Sequence, residues 1–286
     1  MRPFAYARPT SLAEALGLLS EHRDGRSRLL AGGTDLLIRL RDGTFRPEIV
    51  VDVKGIAELG GRIERAEGTL RLGALATMTD VVTDAAVAHD YAALAEAARY
   101  VGSVQIRNRA TLAGNLCNAS PAADTAPALL VFGGQVLAAG PNGRRRIPLV
   151  DFFVRSGVTT LAPGEIVTAI ELPLPDGARG SAFQRRTRRR GHDLASVTLA
   201  CSIAADGRAR LAYGSVGPRP VLAIDGSGVL ADPSTPPSDR AAALDDLFVG
   251  ASPSPTSMRA GPDYRLAMLR VLGLRALTAA LERRAA

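Results

Sequence analysis

The chain has 286 residues, room for one large domain or two modest ones. With 47% hydrophobic and 22% charged residues it has a globular profile, and extensive disorder is excluded because ample apolar surface exists to offset chain entropy. The net charge of +7 rests almost wholly on arginine, Lys54 being the only lysine, and aromatics at 4% with no Trp leave no stacking platforms for nucleic acid.

The most apolar stretch, residues 128–139, is broken by Gly133 and Gly134 and falls short of the ~20 residues that a membrane span requires. Met1–Tyr6 lacks the apolar core of a signal peptide, so a cytoplasmic location is expected. Cys117 and Cys201 lie far apart, as do His22, His89 and His192, so a metal centre held by this chain is not expected. Both cysteines are expected to be buried.

Taken in order, Ser11-Leu12-Ala13-Glu14 reads as a capping box opening a helix with Leu12, Leu16 and Leu19 at helical spacing. Arg28–Leu30 reads as a strand entering the turn Ala31-Gly32-Gly33-Thr34-Asp35. Residues 36–40 then suggest a helical turn and Glu48–Val53 a buried strand, a small β-α-β-like unit. Leu70–Ala74 is an expected strand, Thr79–Ala88 and Tyr91–Tyr100 expected helices, and the small and polar residues of 106–124 read as ordered loops. Asn142-Gly143 between 135–138 and 144–147 signals a hairpin, and 166–172 alternates partly. The stretch Pro173–Gly177 marks a domain boundary. Beyond it, 197–204 and 209–213 read as an antiparallel pair joined by Asp206-Gly207. Residues 231–238 read as a proline-rich surface loop. A final helix from Asp263 is expected with Leu266, Leu269, Leu277 and Leu281 mostly on one face.

Two segments carry chemistry. Adjacent Gly32 and Gly33 let the backbone approach a ligand closely, and Thr34 adds a hydroxyl. The spacing is not that of the Rossmann fingerprint, and an ordinary strand-to-helix turn is the competing reading. Thr111-Leu112-Ala113-Gly114-Asn115, followed by Asn118, Ser120 and Asp124, lines up hydroxyls, amides and a carboxylate suited to a phosphate-and-sugar ligand. A polar loop held by its own turns competes with that. Gly33 and Gly114 are expected where a β-branched side chain would be strained or would obstruct the approach.

These two glycine motifs, about eighty residues apart, give the chain a resemblance to the FAD-binding medium subunits of the molybdenum hydroxylases, the xanthine dehydrogenase and carbon monoxide dehydrogenase family. Pro3-Phe4-Ala5-Tyr6, Leu30–Leu36, Gln105–Asn108, Pro163-Gly164-Glu165, Asp193-Leu194-Ala195 and Tyr213-Gly214 extend the resemblance almost end to end. It implies an α+β fold: a two-lobed FAD-binding domain over 1–176, with lobes of about 1–55 and 56–176, then a small α+β domain over 177–286. It also implies that Leu30, Ala31, Gly32, Gly33, Thr34, Asp35 and Leu36, with Thr111, Ala113, Gly114 and Asn115, embrace the FAD pyrophosphate. Asn118 and Asp124 would serve the ribityl and sugar side, Val101 would join the cofactor-binding set, and Val167 would lie near the flavin ring. Arg185 stands where the family often has lysine, a different donor geometry. Ala113 replaces a usual glycine, which is compatible if its φ stays negative.

The resemblance further implies a large molybdenum-cofactor subunit and a small [2Fe-2S] subunit as partners, in a dimer of heterotrimers. The chain itself would be an electron-transfer flavoprotein passing electrons to an external acceptor. No His, Cys or carboxylate constellation reads as a general base or nucleophile, so no catalytic residue is assigned. A stand-alone FAD-dependent oxidoreductase and a non-catalytic basic binding protein are the alternatives. Arg185, Arg186, Arg188, Arg189 and Arg190 form the densest charge run, read as a solvated surface, a docking face or a contact to flavin phosphate.

Overall fold

The computed structural model describes residues 2–22, 26–189 and 191–286. Its first part comprises β1 (Ala5–Ala7), α1 (Leu12–Glu21), β2 (Ser27–Leu30), α2 (Leu36–Arg41) and β3 (Ile49–Asp52). The strands form a parallel sheet in the order β1-β3-β2. β3 is buried along its whole length, as its unbroken apolar run requires of a central parallel strand. Ser11 caps α1 by accepting from the Glu14 amide at 3.2 Å. The reciprocal half of the expected capping box is absent, because the Glu14 carboxylate accepts from the Thr10 amide instead.

The second part begins with β4 (Ile63–Ala66) and β5 (Thr69–Gly73). Helices α3 (Met78–Thr83), α4 (Ala85–Asp90), α5 (Ala92–Arg99), α6 (Val104–Arg107), α7 (Leu112–Cys117) and α8 (Thr125–Val131) follow. Then come β6 (Gln135–Gly140), β7 (Gly143–Pro148), α9 (Leu149–Phe152), β8 (Phe153–Arg155), β9 (Val158–Thr159) and β10 (Ile166–Pro173). Five strands make an antiparallel sheet ordered β4-β5-β10-β6-β7. Two expectations are corrected here. The helix over 79–88 is two helices, because Asp84 leaves helical dihedrals (φ −71°, ψ 128°) and its side chain accepts from the Val87 amide to start another. Residues 106–124 are not loop alone: α7 forms because Thr111 caps it and Leu112, Ala113 and Leu116 are buried.

The third part holds β11 (Gly180–Arg186), β12 (Val197–Ile203), β13 (Ala209–Gly214) and β14 (Val221–Asp225), then α10 (Pro237–Leu247) and α11 (Pro262–Ala285). The strands form an antiparallel sheet in chain order, with α11 lying across β11 and β12. The surface loop expected over 231–238 ends early, since Pro237 opens α10, a position where a missing amide hydrogen does no harm. Leu269 and Leu277 are buried on α11 as expected, but Leu266 is 40% exposed. The buried stripe runs instead through Leu272, Gly273, Ala276 and Ala280. Cys201 is buried as expected, whereas Cys117 is exposed at the end of α7.

One hydrophobic core lies under the first two sheets and a second lies between the last sheet and its helices. The joint between them is hydrogen-bonded through α5. The Ala93 amide donates to Ser181 Oγ at 3.2 Å, the Phe183 amide donates to Glu96 Oε2 at 2.8 Å, and Arg283 pairs with the same carboxylate.

β11 approaches α11 so closely that a Cβ on Gly180 would sit 1.8 Å from the Ala280 carbonyl oxygen. Gly180→Ala is therefore expected to destabilise the chain by about 1–3 kcal/mol, the scale of overpacking. Gly226→Ala, with nothing within 4 Å of the added carbon, serves as the control and is expected to be neutral within ~0.5 kcal/mol. Urea unfolding of the two variants beside the parent checks both.

Candidate cofactor-binding site

The segment 31–35 leaves the carboxyl end of β2, where open parallel sheets place their ligands. Gly33 adopts φ +78°, a conformation that a side chain strains, and its carbonyl accepts from the Leu37 amide at 3.0 Å to begin α2. Gly32 serves another purpose. A Cβ there would lie 2.0 Å from the Arg109 carbonyl oxygen, so the first lobe touches the second backbone to backbone. Asp35, which makes no capping bond to its own helix, accepts instead from Asn118 Nδ2 at 3.4 Å. Leu30, Ala31, Thr34 and Leu36 are half-buried around this junction.

The second segment is clamped by the strip before α3. Thr77 and Thr111 bridge, the Met78 amide donates to the Ala110 carbonyl at 2.8 Å, and the Leu112 amide to Ala76 at 2.9 Å. The Thr111 hydroxyl accepts from the Gly114 amide at 3.1 Å, so it caps α7. Ala113 and Gly114 both lie within α7, away from the positive-φ residues. Ala113 thus meets its condition, and the expected left-handed strain applies to Gly33 but not to Gly114. A side chain on Gly114 would instead press on Thr111 Oγ1, 2.7 Å from the added carbon. Asn115 is fixed by the Thr125 hydroxyl, which donates to its Oδ1 at 2.7 Å.

Asp124 is buried, 8% exposed. Its Oδ1 lies 3.1 Å from Arg185 Nε, yet the two atoms are not aligned for a hydrogen bond and neither finds another partner. Burial pushes the Asp124 carboxyl up to about 7 against the opposing pull of the Arg185 charge. Arg185 comes from β11, stacks over the Tyr100 ring at 5.3 Å, and donates to the Tyr100 and Asp193 carbonyls. Tyr100 was not among the expected site residues; the sequence places it only at the end of a helix. Val101 is half-buried and packs on the core, and Val167 is 6% exposed at a bulge of β10 opposite Ala138. The structure thus joins the first segment to Asn118 and joins Asp124 to Arg185, while Val167 is a core residue.

The arginine run is partly tied into its own surroundings. Arg186 donates to the Tyr264 hydroxyl at 2.8 Å, Arg188 to the Met258 carbonyl, and Arg189 pairs with Asp193. Arg190 lies outside the described residues.

These groups fit a ligand with phosphates and hydroxyls. Asp124 Oδ1 is a buried acceptor with no hydrogen bond, and the junction of 31–35 with 111–118 brings two glycine-bearing segments together. Because the Asp124 carboxyl is raised, the folded chain binds its proton more tightly than the unfolded chain, whose value is ~4. Its contribution to stability is full below ~4 and is lost as pH rises through about 7. Urea unfolding of the flavin-free chain between pH 4 and 8 is expected to show the parent losing stability relative to Asp124→Asn across that window, with no further divergence above it.

Residues 2–175 match the family described as the FAD binding domain in molybdopterin dehydrogenase, and residues 182–280 match the CO dehydrogenase flavoprotein C-terminal domain. The putative xanthine dehydrogenase FAD-binding subunit of Escherichia coli K12 is 33% identical over 76% of this chain and 75% of that protein. The carbon monoxide dehydrogenase medium chain of Hydrogenophaga pseudoflava is 30% identical over 98% of each. Among solved structures, a cyanide-inactivated Cu,Mo-CO dehydrogenase superposes with a TM-score of 0.88 at 27% identity, over 99% of this chain and 100% of that one. Quinoline 2-oxidoreductase from Pseudomonas putida 86 also gives 0.88, at 28% identity over 98% of each. Among the described residues no helix is long and apolar enough to cross a membrane. With its two glycine segments joined across the lobes and both halves matched, the chain belongs to the FAD-binding medium subunits of the molybdenum hydroxylases, as an oxidoreductase subunit.

Proposed function

We propose that this chain is the electron-transfer flavoprotein of a molybdenum-containing dehydrogenase, holding FAD between a [2Fe-2S] subunit and an external acceptor. The observation that carries the reading is the junction of the glycine segments, Gly32 on the Arg109 backbone and Asp35 on Asn118, with the buried Asp124 Oδ1, which accepts no hydrogen bond, beyond it. FAD, when bound, takes up and releases electrons; the protein's part is binding, orientation and electrostatics.

In this reading residues 30–36, with Ala113, Gly114 and Asn115, hold the pyrophosphate. Thr111 caps its helix by accepting from the Gly114 amide, and its hydroxyl hydrogen is left to donate to a phosphate oxygen. Asn118 and Asp124 accept or donate to the ribityl and sugar hydroxyls. Arg185 keeps Asp124 charged when a hydroxyl donor completes its shell. Val101 and Val167 back the site as apolar support. The chain divides at Pro173–Gly177 into a cofactor-binding part, 1–176, and a small α+β part, 177–286, a division supported by the two family matches. It works in the cytoplasm within a dimer of heterotrimers, beside a large molybdenum-cofactor subunit; substrate hydroxylation belongs to that subunit.

Purified chain is expected to carry one FAD that denaturation releases into the supernatant, since no histidine stands in either segment to tether it. Gly33→Val is expected to lose that flavin while keeping its circular dichroism. Its φ of +78° strains a β-branched residue, and the new Cβ meets Leu30 Cδ1 at 2.9 Å. A folded Gly33→Val variant with native flavin content would overturn the assignment. Tagged in its native host, the chain is expected to elute with both partners, and its flavin to be reduced by substrate only in their presence. A lone chain that turns over an organic substrate would mark a stand-alone flavoenzyme instead.

A further inference from the structure

Away from the cofactor segments, the outer side of the five-stranded sheet carries a groove of about 520 Å³ lined by Arg71, Arg144, Arg146, Leu137, Thr168 and Glu171, among others. Strand register explains the gathering. Arg71 on β5 stands opposite Glu171 on β10, Glu171 opposite Gln135 on β6, and Leu137 and Ala139 opposite Arg146 and Arg144 on β7. Period-two alternation puts Arg71, Glu171, Gln135, Leu137 and Arg146 on one face; Ala139 lies in the core, past the register shift between Val167 and Ala169, and Arg144 and Arg145, of opposite parity, both line the groove. The other face, with Leu70, Leu72, Val136, Ile147 and Ile170, belongs to the core.

The lining carries four arginines, Arg71, Arg144, Arg145 and Arg146, against two carboxylates, Glu67 and Glu171, so its charges do not cancel. Glu171, 7% exposed, accepts from Gln135 Nε2 at 3.0 Å and from Arg146 Nε at 3.4 Å, which holds Arg146 in place. Arg145 is committed to Glu165 through two bonds of 2.7 and 2.8 Å. The side chains of Arg71 and Arg144 form no hydrogen bond or ion pair with another described residue; the pKa of the exposed Glu58 is lowered first by the Leu12 amide and also by the charge of Arg144. A plain solvated sheet face would explain long arginine stems over a strand. Charged residues on an edge strand, which guard it against pairing, would explain Arg144 and Arg146 on β7. Arg71 itself stands opposite Glu64 and Glu171 on its two neighbouring strands, but neither reading accounts for the arginine excess gathered in a hollow across two intervening strands, where like charges repel and the positive potential is focused.

We propose that this groove binds a phosphorylated small molecule, with Arg71 on one wall and Arg144 and Arg146 on the other holding its phosphate oxygens. Guanidinium forks engage phosphate two oxygens at a time, and the volume lies within the roughly 300–1,000 Å³ of small-ligand sites. The floor of Leu137 and Thr168 offers an apolar surface to the rest of the molecule, the Thr168 hydroxyl donating to the Leu137 carbonyl at 3.3 Å.

The test is calorimetric titration of the full chain, saturated with FAD, with inorganic pyrophosphate and separately with ADP at constant ionic strength. Saturable one-site binding is expected, weakened at least ten-fold by Arg71→Gln and by Arg144→Gln, with unchanged circular dichroism. Arg71→Lys, which keeps the charge and loses the fork, is expected to fall between, and it replaces the glutamine variant if that one does not fold. Tighter binding of ADP than of pyrophosphate identifies a nucleotide; equal binding identifies the phosphate groups alone. Absence of saturable binding, or affinities indifferent to both arginines, overturns the proposal. So does arginine-dependent binding of poly-glutamate with none of pyrophosphate, which assigns the groove to an acidic protein partner. Flavin content, measured in parallel, reports on the cofactor site alone, because neither arginine belongs to it.

Discussion

A hydrogen in place of a side chain at position 32 lets two stretches of backbone meet, and the architecture around the site follows from that contact. No other residue leaves room for the Arg109 carbonyl, which lies 2.0 Å from where a Cβ would be. Once the lobes touch there, Asp35 and Asn118 come within reach of each other although 83 positions separate them. The strip 110–112 is at the same time locked to 76–78, so the second segment is presented as a rigid edge rather than a free loop. The two neighbouring glycines therefore divide their work: Gly32 makes the lobes fit and Gly33 turns the chain.

The Asp124–Arg185 pair adds an electrostatic constraint to this steric one. Burying both charges is expensive, and misaligned hydrogen bonds leave part of the expense uncompensated. Arg185 is held where it is by other means, by the Tyr100 ring beneath it and by the Tyr100 and Asp193 carbonyls. A carboxylate kept partly unsatisfied beside a fixed cation is a poor stabiliser of the fold and a well-prepared acceptor for an incoming hydroxyl. Under the proposed function, stability is given up here for binding.

How much of this could be read from the residues depends on the range of the interaction involved. The β-α-β unit, the Asn142-Gly143 hairpin and the paired strands around Asp206-Gly207 rest on local periodicity and turn chemistry, and the structure contains them. The break at Asp84 was missed because an aspartate inside an apolar helical pattern signals a cap only once its side chain is seen to reach the Val87 amide. α7 is not legible because Gly114, Asn115 and Cys117 are weak helix formers and the turn depends on burial of Leu112, Ala113 and Leu116 against the core. At the site, the two glycine motifs and Asp124 were legible as residue types. The contacts of Tyr100 with Arg185 and of Gly32 with Arg109 were not, since each joins residues more than seventy positions apart. Ser215, at φ +67° with its amide on the Pro121 carbonyl, is a similar long-range fixture without a sequence signal.

The hydrogen-bonded joint along α5 has a thermodynamic consequence. Glu96 serves Phe183 and Arg283 at once, and Ser181 answers the Ala93 amide. Asp124 lies on one side of this seam and Arg185 on the other, so separating the two halves dismantles the place where a ligand would touch both. Ligand occupancy and cohesion of the chain are then one linked equilibrium. A molecule present at a hundred times its dissociation constant would add about 2.7 kcal/mol to the resistance of the seam, and its departure would lower the melting temperature of both halves together.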